Sequence, residues 1–188
     1  MVSLVSLWLP ILLSAVVVFI LSSILHMFLK YHNSDYQKLP GEDKVIDDLR
    51  RNNIPAGDYM FPYTTDSKER NSKEFQDKMK SGPSGVMTIF PAGHNFMGTS
   101  LAQWFVYCLI VSVFAAYISG RAVPVGTEYL SVFRFAGATA FVGYGLALMQ
   151  NSIWYKKSWS ATLKSMFDGL IYALFTAGVF GWLWPAVQ

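Results

Sequence analysis

LVSLWLPILLSAVVVFILSSILHMFL, residues Leu4 to Leu29, decides the fold. Its 26 positions carry no charge apart from any proton taken up by His26. As a helix rising 1.5 Å per residue, such a run crosses the roughly 30 Å hydrocarbon core of a bilayer. Pro10 lies near the start, where a missing N–H costs little, and Trp8 suits the interfacial aromatic belt. Lys30 and Tyr31 end the span. No basic n-region precedes it and the apolar run is too long for an h-region, so the reading is a retained membrane helix rather than a cleaved signal.

Three more spans follow the same logic: Met97 to Ser119, Tyr129 to Gln150 and Leu163 to Trp184. Loops of about 9 and 12 residues join them, which makes them sequential antiparallel neighbours. The fold class is therefore an all-α integral membrane protein with about four transmembrane helices. It divides into a first helix (1–30), a long loop (31–96) and a three-helix unit (97–188).

Composition agrees. Hydrophobic residues make up 53% of the 188 and charged residues 14%, against about 25% in an average soluble domain. Ten of the twelve acidic and ten of the fifteen basic residues fall between Lys30 and Lys80, interleaved by sign, which disfavours a nucleic-acid partner. The single cysteine, Cys108, allows no intrachain disulfide. Thirteen basic residues lie in the long loop and in the loop before the fourth span, and only Arg121 and Arg134 lie on the other side. The positive-inside rule then predicts a cytoplasmic long loop, with both termini on the non-cytoplasmic face.

Within the loop, GEDKVIDDLRRNN reads as a short helix with acids in its first turn and bases in its last, carrying an apolar stripe of Val45, Ile46 and Leu49. IPAGDYMFPY, holding Tyr59 and Phe61, reads as an extended segment at the membrane surface. Thr65 to Lys80 resembles a second, solvated helix with Asp66 or Ser67 as N-cap, and Val86, Thr88 and Phe90 alternate as in a short extended stretch. A loop this small is expected to lean on the membrane helices.

Candidate functional residues are few. Arg134 and Asp168 are charges inside predicted spans, which insertion scales penalise by roughly 2.5–3.5 kcal/mol. Arg134 lies about 7 Å below one face and Asp168 about 6 Å below the other, so they are not expected to meet. Arg134 reads as a snorkelling side chain or an anchor for a lipid phosphate or partner carboxylate, and Asp168 as a partner of Lys164 at i, i−4. His26, His32 and His94 all fall near one membrane boundary. His26 and His32, six apart, do not share a helical face as a ligand pair would, so neither a metal nor a haem is expected. No phosphate-binding, nucleophile-elbow or zinc-protease string occurs, no catalytic residue can be named and no cofactor is implied. Ala173, Ala177 and Gly181, with Gly137, Gly143 and Gly145, predict close packing of the third and fourth spans.

The expected function is that of a non-catalytic membrane protein acting through contacts, an accessory or assembly subunit of a larger membrane complex. Its candidate lipid or partner contacts are Arg134, Asp168, Val45, Ile46, Leu49, Tyr59 and Phe61, and its partners are membrane lipids and other membrane protein subunits. The alternative is a small membrane enzyme or transporter subunit that uses the interfacial histidines and Asp168.

Overall fold

The computed structural model describes residues 1–93 and 95–187. The chain forms two compact units, one made of residues 1–37 and 96–188, the other of Lys38–Asn95.

The first unit holds four helical segments long and apolar enough to cross a membrane: Val5–Met27, Met97–Ala122, Tyr129–Trp154 and Trp159–Trp182. This is the architecture of a multi-pass membrane protein. The first comprises a 3₁₀ turn, Val5–Leu7, running into α1 (Trp8–Met27). Pro10 sits in the first turn of α1, where no hydrogen bond is lost. A second 3₁₀ turn, Lys30–Asp35, follows α1 and belongs to this helical unit.

After the first unit's interruption by Lys38–Asn95, its second long helix runs Met97–Ala122 and its last Trp159–Trp182. The third span is not the continuous helix its composition predicts. It is helical over Tyr129–Tyr144, breaks at Gly145 into a 3₁₀ turn, and resumes over Met149–Trp154. The break coincides with a close crossing: a Cβ on Gly169 would lie 2.8 Å from the Cα of Gly145 and 2.9 Å from the Tyr144 carbonyl. The two backbones touch there because both positions are glycine.

Small residues also make the rest of that interface. Ala173 and Ala177 are buried, and a Cβ on Gly137 would meet the Ala177 methyl at 3.0 Å. The expected close approach of the third and fourth spans is what the structure contains. The N-terminal segment and α1 are both held to the second long helix: the Val2 amide donates to the Gly120 carbonyl, Ser14 bonds Ser112 at 3.0 Å, and the Trp104 indole donates to Ser22 at 2.7 Å. Trp104 also packs among Tyr107, Tyr144 and Tyr172, so this tryptophan is an inter-helix residue rather than part of an interfacial belt.

The second unit contains α2 (Glu42–Arg51), β1 (Gly57–Phe61), α3 (Ser67–Arg70), α4 (Lys73–Ser81) and β2 (Gly85–Ile89). Numbering onward, the membrane unit's helices are α5 (Met97–Ala122), α6 (Tyr129–Tyr144), α7 (Met149–Trp154) and α8 (Trp159–Trp182). The predicted single helix over Thr65 to Lys80 is two helices. Asp66 caps α3 by accepting from the Lys68 amide, and Ser72 restarts the chain by capping α4 through the Phe75 amide. The two expected extended stretches pair with each other as an antiparallel hairpin, in register Gly57↔Ile89, Tyr59↔Met87 and Phe61↔Gly85. The chain is thus not wholly α. The hairpin turns Tyr59, Phe61, Met87 and Ile89 to one side, and Asp58, Met60, Val86 and Thr88 to the other.

Candidate functional site

Helix α1 stops at Met27 because the chain turns extended at Leu29, and residues 30–35 then coil back as a 3₁₀ turn. That reversal overturns the spacing argument against His26 and His32. Six residues apart on a continuous helix they would diverge, but across a helix end their rings stack, 4.6 Å between centroids and 10° from parallel. Against them comes Asp168 from α8, buried to 2% exposure.

The contacts are specific. Tyr31 donates its hydroxyl to Asp168 Oδ1. His32 Nε2 lies 2.7 Å from Asp168 Oδ2, and His32 Nδ1 lies 2.6 Å from Asp35 Oδ2. His32 thus has a carboxylate oxygen against each ring nitrogen, an arrangement that favours its protonated form. Burial opposes that charge, but the hydrogen bonds to Asp35 and Asp168 outweigh it, and the pKa of His32 is raised above its ordinary value. Burial likewise opposes charge on Asp35, yet hydrogen bonds from Lys164 and His32 win and lower its pKa. Tyr31 is pushed up by burial and by the Asp168 carboxylate, so its hydroxyl stays a donor.

Lys164 completes the network, but not with the predicted partner. The expected Asp168–Lys164 pair does not form, because Lys164 reaches across to the turn after α1. Its ammonium donates to Asp35 Oδ1 at 2.8 Å, Ser34 Oγ at 2.7 Å and the Tyr31 carbonyl at 2.8 Å, which uses all three of its protons. Two carboxyl groups, one amine and one imidazole therefore meet within a single hydrogen-bonded cluster. A cleft of about 280 Å³ opens beside Asp35, lined also by Tyr36, Asn151, Lys157 and Ser165.

His26 stands at the rim, its side chain 52% exposed. Its Nδ1 lies 3.0 Å from the Ser22 carbonyl, which can only accept, so Nδ1 carries the hydrogen. His26 Nε2 is 3.8 Å from Asp168 Oδ2. From Asp168 a polar stripe continues up α8 through Tyr172 and Thr176, whose hydroxyls are buried and bonded to no described atom.

The other predicted residues lie elsewhere. Arg134 is exposed on α6 and, among the described residues, makes no ion pair. Val45 and Leu49 are half-buried on α2, while Ile46 is exposed. Tyr59 is half-buried and Phe61 exposed on β1. His94 lies outside the described residues. Among the described residues from 38 to 95, no side chain is buried. No protein-family model matches this chain, and no curated protein and no solved structure matches it either.

What the sequence reading missed is the turn. Tyr31, Asp35 and Lys164 were charged or polar boundary residues with no reason to converge. The only available signal was that His26, His32 and Asp168 share a predicted depth.

Proposed function

We propose that this protein acts through contacts, as a non-catalytic accessory or assembly subunit of a larger membrane complex. Residues 31–96 then lie on the cytoplasmic side, and both termini on the opposite side. The observation that carries the reading is the second unit: it has five regular elements and yet no buried side chain among its described residues. Ile46, Met60, Phe61, Tyr63, Val86 and Phe90 are all substantially exposed. Apolar surface of this extent, on an extramembrane unit without a core of its own, marks an interaction surface.

Charge favours a protein over an anionic lipid surface as the occupant. Residues 38–95 carry nine basic and nine acidic side chains, a net charge of zero, whereas binding to anionic lipid needs clustered Lys and Arg. The partner is accordingly another membrane protein subunit that covers the hairpin and α2.

Extraction of native membranes in mild detergent tests this. A stoichiometric partner should copurify, and residues 54–61 should resist protease in that complex but be cut in the purified chain. A chain that is monomeric straight from the membrane, with this segment equally protected before and after purification, rules the reading out.

A second reading, a small membrane enzyme or transporter subunit, is favoured by one observation, the His26, His32 and Asp168 cluster beside a cleft at the end of a span. Intramembrane ionisable groups that converge in this way are functional-site candidates.

A further inference from the structure

We propose that His26, His32 and Asp168 form a binding site for a divalent first-row transition-metal ion. The site stands independently of the contact role above and supplies the ligand for the second reading.

One ligand atom from each of the three residues lies within 4.8 Å of the others. Two imidazoles and one carboxylate suit zinc, iron(II) and their neighbours, while calcium and magnesium want an all-oxygen shell. Each of the three groups is also held at its other end.

A metal-bound histidine donates its remote ring N–H to a carbonyl or carboxylate, which fixes the tautomer and aims the lone pair. Both histidines have that partner: His26 Nδ1 has the Ser22 carbonyl, and His32 Nδ1 has Asp35. The carboxylate is oriented in the same way, with Oδ1 engaged by Tyr31. Three outer groups, one on α1 and two on the 3₁₀ turn after it, thus leave three inner atoms, His26 Nε2, His32 Nε2 and Asp168 Oδ2, on the same side. Asp35 is in turn held by Lys164, so the outer shell is itself anchored.

His32 Nε2 lies 2.7 Å from Asp168 Oδ2, and His26 Nε2 faces the same carboxylate oxygen at 3.8 Å. A cation seated among these three atoms satisfies both nitrogens and the carboxylate together. The near-parallel rings do not point their lone pairs at one point, so loading also requires one ring to tilt. His26, half-exposed at the rim, has room for this, and its exposed side is the route in. Three protein ligands leave a further coordination position for water or another small ligand.

The test uses the full-length chain in lipid nanodiscs, purified without a histidine tag, stripped with a chelator and dialysed against zinc ion alone. Wild type should retain one zinc per chain after dialysis and should gain thermal stability on loading. His26→Ala is the decisive variant, because the one hydrogen bond of His26 among the described residues is to its own helix, its other contacts being the stacked His32 ring and Asp168 Oδ2 at 3.8 Å, so the apo protein should keep most of its thermal stability while its zinc affinity falls at least tenfold. Asp35→Asn, which weakens the outer shell without removing a ligand, should lower affinity about 10- to 100-fold. Cobalt(II) offers an independent readout through visible absorption that His26→Ala abolishes. Zinc uptake below stoichiometry in wild type, or equal uptake by wild type and His26→Ala, overturns the proposal and leaves the cluster as a hydrogen-bonded latch. Neither result bears on whether a partner subunit copurifies.

Discussion

Asp168 is the residue on which most depends, because its carboxylate is the buried acceptor for Tyr31 and His32 at once. Asp168→Ala leaves a phenol and an imidazolium without their acceptor in a desolvated site, and truncating one partner of a buried charged pair costs about 3–5 kcal/mol. Arg134→Ala removes an exposed side chain with no ion pair, and its effect should stay within about 0.5 kcal/mol. Unfolding in detergent, followed by circular dichroism, should separate the two by that margin, and equal effects would mean that the cluster contributes nothing to the fold. The cost of Asp168 was readable in the sequence, since any carboxylate inside a span needs a partner. Which partner was not readable. Lys164, one helical turn away, is the local choice, but three acceptors on the turn after α1 take its protons. A contact between residues about 130 positions apart depends on the turn that follows α1, and Lys30 and Tyr31 mark the end of the span but not that turn.

At the scale of elements, the α6–α8 contact rests on residues that have no side chain to spare. The glycines differ in what a new methyl would meet. Gly169→Ala drives a Cβ into the backbone of Tyr144 and Gly145, which cannot swing aside. Gly181→Ala meets only the ring of Tyr129, a partly exposed side chain that can turn away. Gly169→Ala should therefore destabilise more, within the roughly 1–3 kcal/mol typical of overpacking. Ala177→Leu, at a fully buried position, should do the same, while Leu174→Ala on the exposed face of α8 should be mild. Thermal melts of the four variants in one lipid environment give the order, and a uniform series would mean that this interface is not tightly packed. The small-residue spacing was legible because close approach of helices in lipid selects it. The break at Gly145 was not legible, since a glycine inside an apolar run is compatible with a continuous helix until its neighbour is known. The hairpin shows the same limit: both strands could be read as extended, yet their pairing joins residues about 30 apart.

For the whole molecule, hydropathy alone is enough to find the four spans, each to within about five residues of the structure's boundaries. Sidedness rests on the thirteen-to-two distribution of Lys and Arg. A reporter fused after Gln188 should read the non-cytoplasmic side, and one inserted at Ser72 the cytoplasm. The reverse at both sites would invert the orientation and move the His26, His32 and Asp168 cluster to the other face. The second unit, Lys38–Asn95, was the least legible part. Its helices and strands follow from caps and alternation, but a unit with no buried side chain among its described residues has no core pattern from which its packing could be read.

The attachments of α1 carry a consequence for how the chain tolerates being severed. Bonds from Val2 to Gly120, Ser14 to Ser112, Ser22 to Trp104 and His32 to Asp168, with the clamp of Lys164 on the turn after α1, tie residues 1–37 to the later helices at several depths without using the peptide chain that connects them. The link through residues 38–95 is then redundant for holding the bundle together. A preparation nicked once within that segment should run as two bands on a denaturing gel, yet elute in detergent as one particle of undiminished size. Separation of the two pieces under those conditions would mean that covalent continuity, and not the side-chain bonds described, keeps the first helix in place.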